Sequence, residues 1–388
     1  MRIGIDISQI VYKGTGVARF TDGLTNAILD FDRSNSWVFF FSSLRKNLDP
    51  EIEKKIFRKG HKLIKWKLPP TLLSLLFNDF HNFSKLLTCL PAGRLLTPFL
   101  TSLDWFITSD WTEPPLLVNK VTIVHDLVYL RYPETVDSKV LATQRKRLLL
   151  VKRESRVIFA DSNATKQDLI DLLHIDPKKI HVNYPGVDVK KPNKEQIKLT
   201  LKKYNLNRPF VLTVGKLEPR KNLKRLIEAM KQLNNLPAGR QAETIDLIIV
   251  GPKGWLSNSQ QFTVNNQLSN IKFLGLVSDT ELSSLYSSCL FFIYPSLWEG
   301  FGYPVVEAMK LGAAVATSDT SSLSEIAKGA ALLFDPFNVK DMYKCIYTLI
   351  HSERLRSELA EKGQKKSKTY TWKTYYNRLI QLLYDNRS

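Results

Sequence analysis

Short apolar runs recur along the chain, separated by mixed-polarity stretches of helical length. RIGIDI near the start, WVFFF at 37–41, DWFIT at 104–108, VTIVHD at 121–126, RVIFAD at 156–161 and IHVNY at 180–184 form a first set. Strands spaced by helix-length segments predict parallel sheets covered on both faces. The pattern then restarts with FVLTVG at 210–215, IDLIIVG at 245–251, IKFLG at 271–275, LFFIYP at 290–295, AAVATS at 313–318 and ALLFDP at 331–336. Two α/β domains in series fit this better than one large sheet. They are expected at 1–190 and 191–368, with a polar, lysine-rich linker over roughly 187–209. In such folds ligands bind at the carboxyl ends of strands, which predicts a cleft between facing domains. The tail spaces Trp372, Tyr376, Leu379, Leu382 and Leu383 on one helical face, so 369–388 is expected to pack back on the body.

The length of 388 residues agrees with two domains of ordinary size. With 44% hydrophobic and 24% charged residues, the composition excludes disordered and collagen-like chains. No apolar run approaches the roughly 20 residues of a bilayer span, and MRIGIDISQI reads as a first strand, so a cytoplasmic protein is expected. Cys89, Cys289 and Cys345 stand far apart, without disulfide or metal-ligand spacing, and read as buried filler. The net charge of +19 changes the picture most. It fits a lysine-rich solvated surface, or a polyanionic partner: nucleic acid, anionic membrane or phosphorylated small molecule.

The candidate chemistry sits at strand ends. In PSLWEGFGYPVVEAMKLG, 295–312, a glycine-rich turn follows a strand and leads into a helix, with Pro304 suited to its first turn and Gly312 to its end. The turn offers backbone N–H groups of Gly300, Phe301 and Gly302 beside a helix N-terminus, an anion site. Glu299 and Glu307 are placed to face a hydroxyl-rich ligand, although a glutamate at 307 also simply stabilises the helix dipole. In VGKLEPRKNLKRLIEAM, 214–230, Arg220 and Lys221 stand where a helix is expected to begin near Asn222, positioned to grip a diphosphate. VYKGTGVARF puts Gly14 and Gly16 after the first strand, which lets backbone approach a ligand without amounting to a dinucleotide fingerprint. His125 ends a strand beside Asp126, open to a structural or a catalytic role. The stretch 54–77 carries seven Lys/Arg and no acid between Lys54 and Lys67, then an apolar segment. It suits an anionic membrane surface, or equally an ordinary strand and helix with lysines facing water. LPAGR occurs twice, at 90–94 and 236–240, in apparent loop insertions.

These motifs together resemble the family-4 retaining glycosyltransferases. The string PSLWEGFGYPVVEAMKLGAAVATSDTSSLSEI is similar to that family's most specific motif; VGKLEPRKNL resembles its diphosphate loop, GPKGW and FLGLVSDTELSSLY neighbouring segments, and the His125–Asp126 pair and SNATKQD its N-terminal elements. LEPRKN is especially similar to bacterial mannosyltransferases that use GDP-mannose. The resemblance implies a GT-B architecture of two facing Rossmann-like domains. It places Lys221 and Arg220, with Lys216 as a second basic residue, on the donor diphosphate, and Glu299 with the amides of Gly300, Phe301 and Gly302 around the donor sugar. Glu307 would bind the ribose hydroxyls, His125 the reacting face of the sugar, and Gly16 the region near phosphates and acceptor. It also implies a nucleotide-sugar donor, no metal or other cofactor, and transfer of a hexose to a glycan or lipid-linked acceptor in cell-surface polysaccharide synthesis. The enzyme would then work on the inner face of the cell membrane. Two alternatives stay open: a nucleotide-sugar epimerase of the same fold, and a basic nucleic-acid-binding protein, the latter leaving the paired glutamates unexplained.

Overall fold

The computed structural model describes residues 1–82, 102–108, 110–234, 245–252 and 270–387. Cys89, both LPAGR copies and positions 253–255 of GPKGW lie outside the described residues. The chain divides into two compact units, Met1–Gly186 with Thr371–Ser388, and Val187–Tyr370.

The first unit is built on seven parallel strands: β1 (Arg2–Asp6), β2 (Ser36–Ser42), β3 (Lys62–Trp66), β4 (Trp105–Thr108), β5 (Asn119–Val124), β6 (Ser155–Ala160) and β7 (Ile180–Val182), in the order β3-β2-β1-β4-β5-β6-β7. Ile3, Trp37, Phe39, Trp105 and Phe159 are fully buried, as strands covered on both faces require. β3 lies within the basic 54–77 stretch and pairs with β2 as an edge strand, its Lys62 and Lys65 at positions facing water. A helix Pro70–Ser74 and a wider turn Leu75–Asp79 follow it.

The second unit carries six parallel strands: β8 (Phe210–Val214), β9 (Asp246–Val250), β10 (Ile271–Gly275), β11 (Phe291–Tyr294), β12 (Val315–Ser318) and β13 (Leu332–Phe334), ordered β10-β9-β8-β11-β12-β13. The expected linker is not all linker. Within 187–209 the residues Lys194–Lys203 form a helix, opened by reciprocal hydrogen bonds between Asn193 and Gln196.

The tail forms the helix Trp372–Asp385 and belongs to the first unit, where Trp372, Tyr375, Leu379 and Leu383 join the core of Phe20 and Trp37. A Cβ at Gly23 would lie 2.0 Å from the Trp372 indole, so this contact demands glycine.

In each sheet the strand order reverses once, between β1 and β4 and between β8 and β11. The loops leaving the carboxyl ends of those neighbours flank the crevice where open parallel sheets take ligands. For the second unit they are 215–222 after β8 and 295–302 after β11. No helix among the described residues is long and apolar enough to cross a membrane.

Candidate functional site

The loop after β8 is shaped by backbone contacts. The Gly215 amide donates to the Val250 carbonyl at 2.8 Å, and Gly251, at φ +150°, comes so close that a Cβ there would lie 2.0 Å from the Gly215 oxygen. Pro219–Lys221 makes a single 3-10 turn, and Asn222 adopts a left-handed φ of +57°. The following helix begins at Leu223, next to Asn222 as the sequence predicts. The Asn222 side chain donates to the Pro336 carbonyl at 2.7 Å and accepts from Arg225 at 3.0 Å, which holds the unusual backbone. The Leu297 amide donates to the Arg220 carbonyl at 2.9 Å, tying the two loops together.

That tie brings charges into contact. Glu299 Oε1 lies 2.5 Å from Lys221 Nζ, 2.6 Å from Ser296 Oγ, 2.8 Å from Arg220 Nη1 and 3.0 Å from the Tyr294 hydroxyl. Lys221 also donates to the Tyr294 hydroxyl at 2.8 Å and stands 5.2 Å from the centre of its ring. Arg220 donates to the Trp298 carbonyl at 2.6 Å and approaches Glu218 at 3.7 Å; Glu218 in turn pairs with Lys216 at 3.0 Å. Burial opposes a charge on Glu299, but Arg220, Lys221 and the hydrogen bonds win and hold its carboxyl at about 2. Burial, then the neighbouring Arg220 charge, lowers the Lys221 pKa. Burial and the Glu299 anion raise that of Tyr294 well above its ordinary range, so it stays a phenol.

Hydroxyls after β12 brace the Glu299 backbone. Its amide donates to Ser321 Oγ at 3.0 Å, and Ser322 Oγ donates to its carbonyl at 2.9 Å. Ser321 itself holds a left-handed φ of +52°. Gly302 turns at φ +95°, and a Cβ there would meet Leu323 at 2.7 Å. The helix Tyr303–Lys310 then begins with Pro304 in its first turn, and Phe301 is buried against Tyr303 and Tyr370. Glu307 is buried on that helix, with the Tyr286 hydroxyl donating to its Oε2 at 3.2 Å. The structure therefore joins Lys216, Arg220, Lys221 and Glu299 in one ionic chain beside the Gly300–Gly302 turn, and sets Glu307 on the helix that follows.

Gly16 and His125 belong to the first unit. Gly16 opens the helix Gly16–Phe31, whose N-cap Thr15 accepts from the Ala18 amide at 3.2 Å. One turn in, the Phe20 ring meets the His125 imidazole edge-on at 4.5 Å. His125 Nδ1 lies 2.7 Å from Asp161 Oδ2 at the end of β6. A small cavity of about 20 Å³ is lined by His125, Asp6, Asp110, Phe20 and Thr21 among others.

Sequence reasoning missed Tyr294, Ser296, Ser321, Ser322 and Asp161. The signal for Tyr294 and Ser296 was present, since both flank Pro295 at the carboxyl end of β11. Cys345 is buried and Cys289 half-buried, and burial pushes both thiols up to about 12, well away from reactivity. No group of three or more His, Cys, Asp or Glu side chains among the described residues is arranged to hold a metal ion.

Residues 195–366 match the family described as Glycosyl transferases group 1, and residues 105–191 match Glycosyltransferase Family 4. Among curated relatives, the chain is 28% identical over 264 residues to O-antigen chain mannosyltransferase B of Escherichia coli, covering 67% of this chain and 68% of that one. It is 30% identical over 234 residues to O-antigen chain mannosyltransferase RfbU of Salmonella typhimurium, covering 60% and 61%. It is 30% identical over 266 residues to Serotype-specific mannosyltransferase WbdA of Escherichia coli, of which it spans 32%. Among solved structures, Anabaena HepE in complex with UDP and glucose superposes with a TM-score of 0.71 over 99% of this chain and 100% of its own, at 18% identity. WaaG, a glycosyltransferase involved in lipopolysaccharide biosynthesis, gives 0.65 over 99% of each, at 14% identity. The chain has the fold of these GT-B glycosyltransferases, and it matches Glycosyltransferase Family 4 over 105–191 and Glycosyl transferases group 1 over 195–366.

Proposed function

We propose that the chain transfers mannose from GDP-mannose, with retention, to a glycan or lipid-linked acceptor in cell-surface polysaccharide synthesis. The observation that carries this reading is the Lys221–Arg220–Glu299 cluster at the carboxyl ends of β8 and β11. Two cations and a turn of backbone amides meet there, the donor set a leaving diphosphate needs as negative charge builds on it. A cationic site of this kind stabilises the leaving group without requiring a metal ion. Glu299, already ionised, holds the cations in place and offers Oε2 toward sugar hydroxyls. Glu307 binds the ribose hydroxyls, Lys216 adds charge at the loop entrance, and Gly16 lets the first unit's backbone approach the phosphates. His125 serves at the reacting face of the sugar. The mannosyltransferase relatives support mannose and an O-antigen-like acceptor; LEPRKN supports the GDP donor.

A thermal-shift panel of GDP- and UDP-sugars tests the donor. A ligand at 100 times its Kd adds about 2.7 kcal/mol of stability, so GDP-mannose alone should raise Tm by several degrees. A shift only with UDP-sugars overturns that choice. NMR of the product then reads the anomeric configuration, and a new free sugar formed without acceptor would mean epimerisation instead.

Peripheral attachment to an anionic inner-membrane surface belongs to the same reading. Phe57, Leu72, Leu75 and Phe80 are exposed in or beside the lysine-rich 54–77 stretch. Pelleting with vesicles containing phosphatidylglycerol, and not with neutral ones, is expected. Equal pelleting with both sinks this part.

A further inference from the structure

Nothing in the proposed reaction explains why a carboxylate sits buried behind His125. Asp161 is 2% exposed, directly follows β6, and puts Oδ2 2.7 Å from Nδ1 of the imidazole. Its other oxygen, Oδ1, meets no hydrogen-bond partner among the described residues, so its side-chain hydrogen bond is the one to His125. The Phe20 ring edge holds the imidazole from the other direction. The charges that act on the histidine most are negative, although Arg147 pairs with Asp110 at 3.3 Å and reaches the Ile123 carbonyl at 3.4 Å. Asp110 after β4 and Asp126 after β5 both act on it, Asp6 at the end of β1 lines the same cavity, and Tyr375 from the C-terminal helix lies near Asp161 as a neutral phenol. From helix Gly16–Phe31 the cavity receives only Val17, Phe20, Thr21 and Leu24, none of them charged.

We propose that Asp161 is a positioning residue that keeps His125 as an imidazolium with Nδ1–H committed to it, so that His125 meets substrate as a charged hydrogen-bond donor through Nε2–H and not as a base. A histidine whose Nδ1 proton is fixed by a buried carboxylate has one orientation and one free ring nitrogen. Burial disfavours its charge, but Asp161, Asp110 and Asp126 outweigh that and raise its pKa to about 9. Such a donor suits an electron-rich oxygen of the substrate. The inference rests on the transferase reading for its catalytic consequence, and on the dyad with its surrounding carboxylates for the charge.

The test is a pH titration of the six histidines of the intact chain by proton–nitrogen correlation NMR, with His125→Gln assigning the resonance. His125 is expected to remain doubly protonated through neutral pH, with a midpoint near 9. Asp161→Asn should bring that midpoint down toward the ordinary 6.5, whereas Asp110→Asn and Asp126→Asn, which lack the hydrogen bond, should move it less. In transfer assays Asp161→Asn should lower kcat more than KM and shift the alkaline limb of the rate profile toward acid; Asp161→Glu should recover part of both. A wild-type midpoint near 6.5, or an unmoved midpoint or alkaline limb in Asp161→Asn, overturns the proposal. Should Asp161→Asn fail to fold, the wild-type midpoint still decides. Absence of turnover with every nucleotide sugar would refute the transferase reading, and the NMR titration would judge the dyad independently.

Discussion

Glu299→Gln isolates the charge at the centre of the second unit. The amide keeps the shape of the carboxylate and can still accept from Lys221, Arg220, Tyr294 and Ser296, so what the variant loses is the negative charge. A carboxyl held at about 2 against an ordinary 4.5 has its ionised form stabilised by about 3 kcal/mol. Because the folded value is depressed, this contribution is present above the unfolded value and disappears as pH falls through the folded one. Linkage then gives a wild-type advantage of about 3 kcal/mol at pH 7 that falls by more than half by pH 3 and nearly vanishes by pH 2. Urea denaturation of both proteins across this range, with backbone amides of the second unit followed by hydrogen exchange, reads the difference. Other carboxylates titrate in both proteins and cancel. A stability gap that stays constant from pH 7 to pH 2 would refute the reasoning, because it would mean that Glu299 supplies shape and not charge.

Gly302→Ala should cost about 1–3 kcal/mol and lower donor affinity, since the new Cβ both strains the left-handed backbone and strikes Leu323; calorimetric titration with nucleotide sugar and a melting curve check the two effects. Trp372→Ala should remove about 3–5 kcal/mol from the first unit by emptying the space between Gly23 and Gly186, while hydrogen exchange in β8–β13 stays unchanged.

Most strands were legible because double-sided burial makes them uniformly apolar, as in WVFFF and LFFIY. β3 was harder to read: at the sheet edge it alternates lysine with half-buried residues and looks like surface. The helix Lys194–Lys203 was hidden in a polar, lysine-rich stretch, although its Asn193–Gln196 capping pair was in plain sight. Residue types at the candidate site could be named because they stand where strands end. Their engagement with one another could not. Glu299 and Lys221 are 78 positions apart, and they meet only because β8 and β11 are neighbours across the reversal of strand order. Asp161 and Tyr294 escaped notice because each closes an apolar run and reads as part of the strand. Tyr375 was passed over in the tail, yet it is fully buried in the first unit's core.

In the proposed reaction the cations beside Glu299 receive the diphosphate of an activated sugar. Calorimetric titration of GDP-mannose into the intact wild-type chain and into Lys221→Met measures this directly. Saturable one-to-one binding to the wild type is expected, with at least a tenfold loss in the variant, a difference of about 1.4 kcal/mol or more. Equal affinity in the two proteins would contradict it.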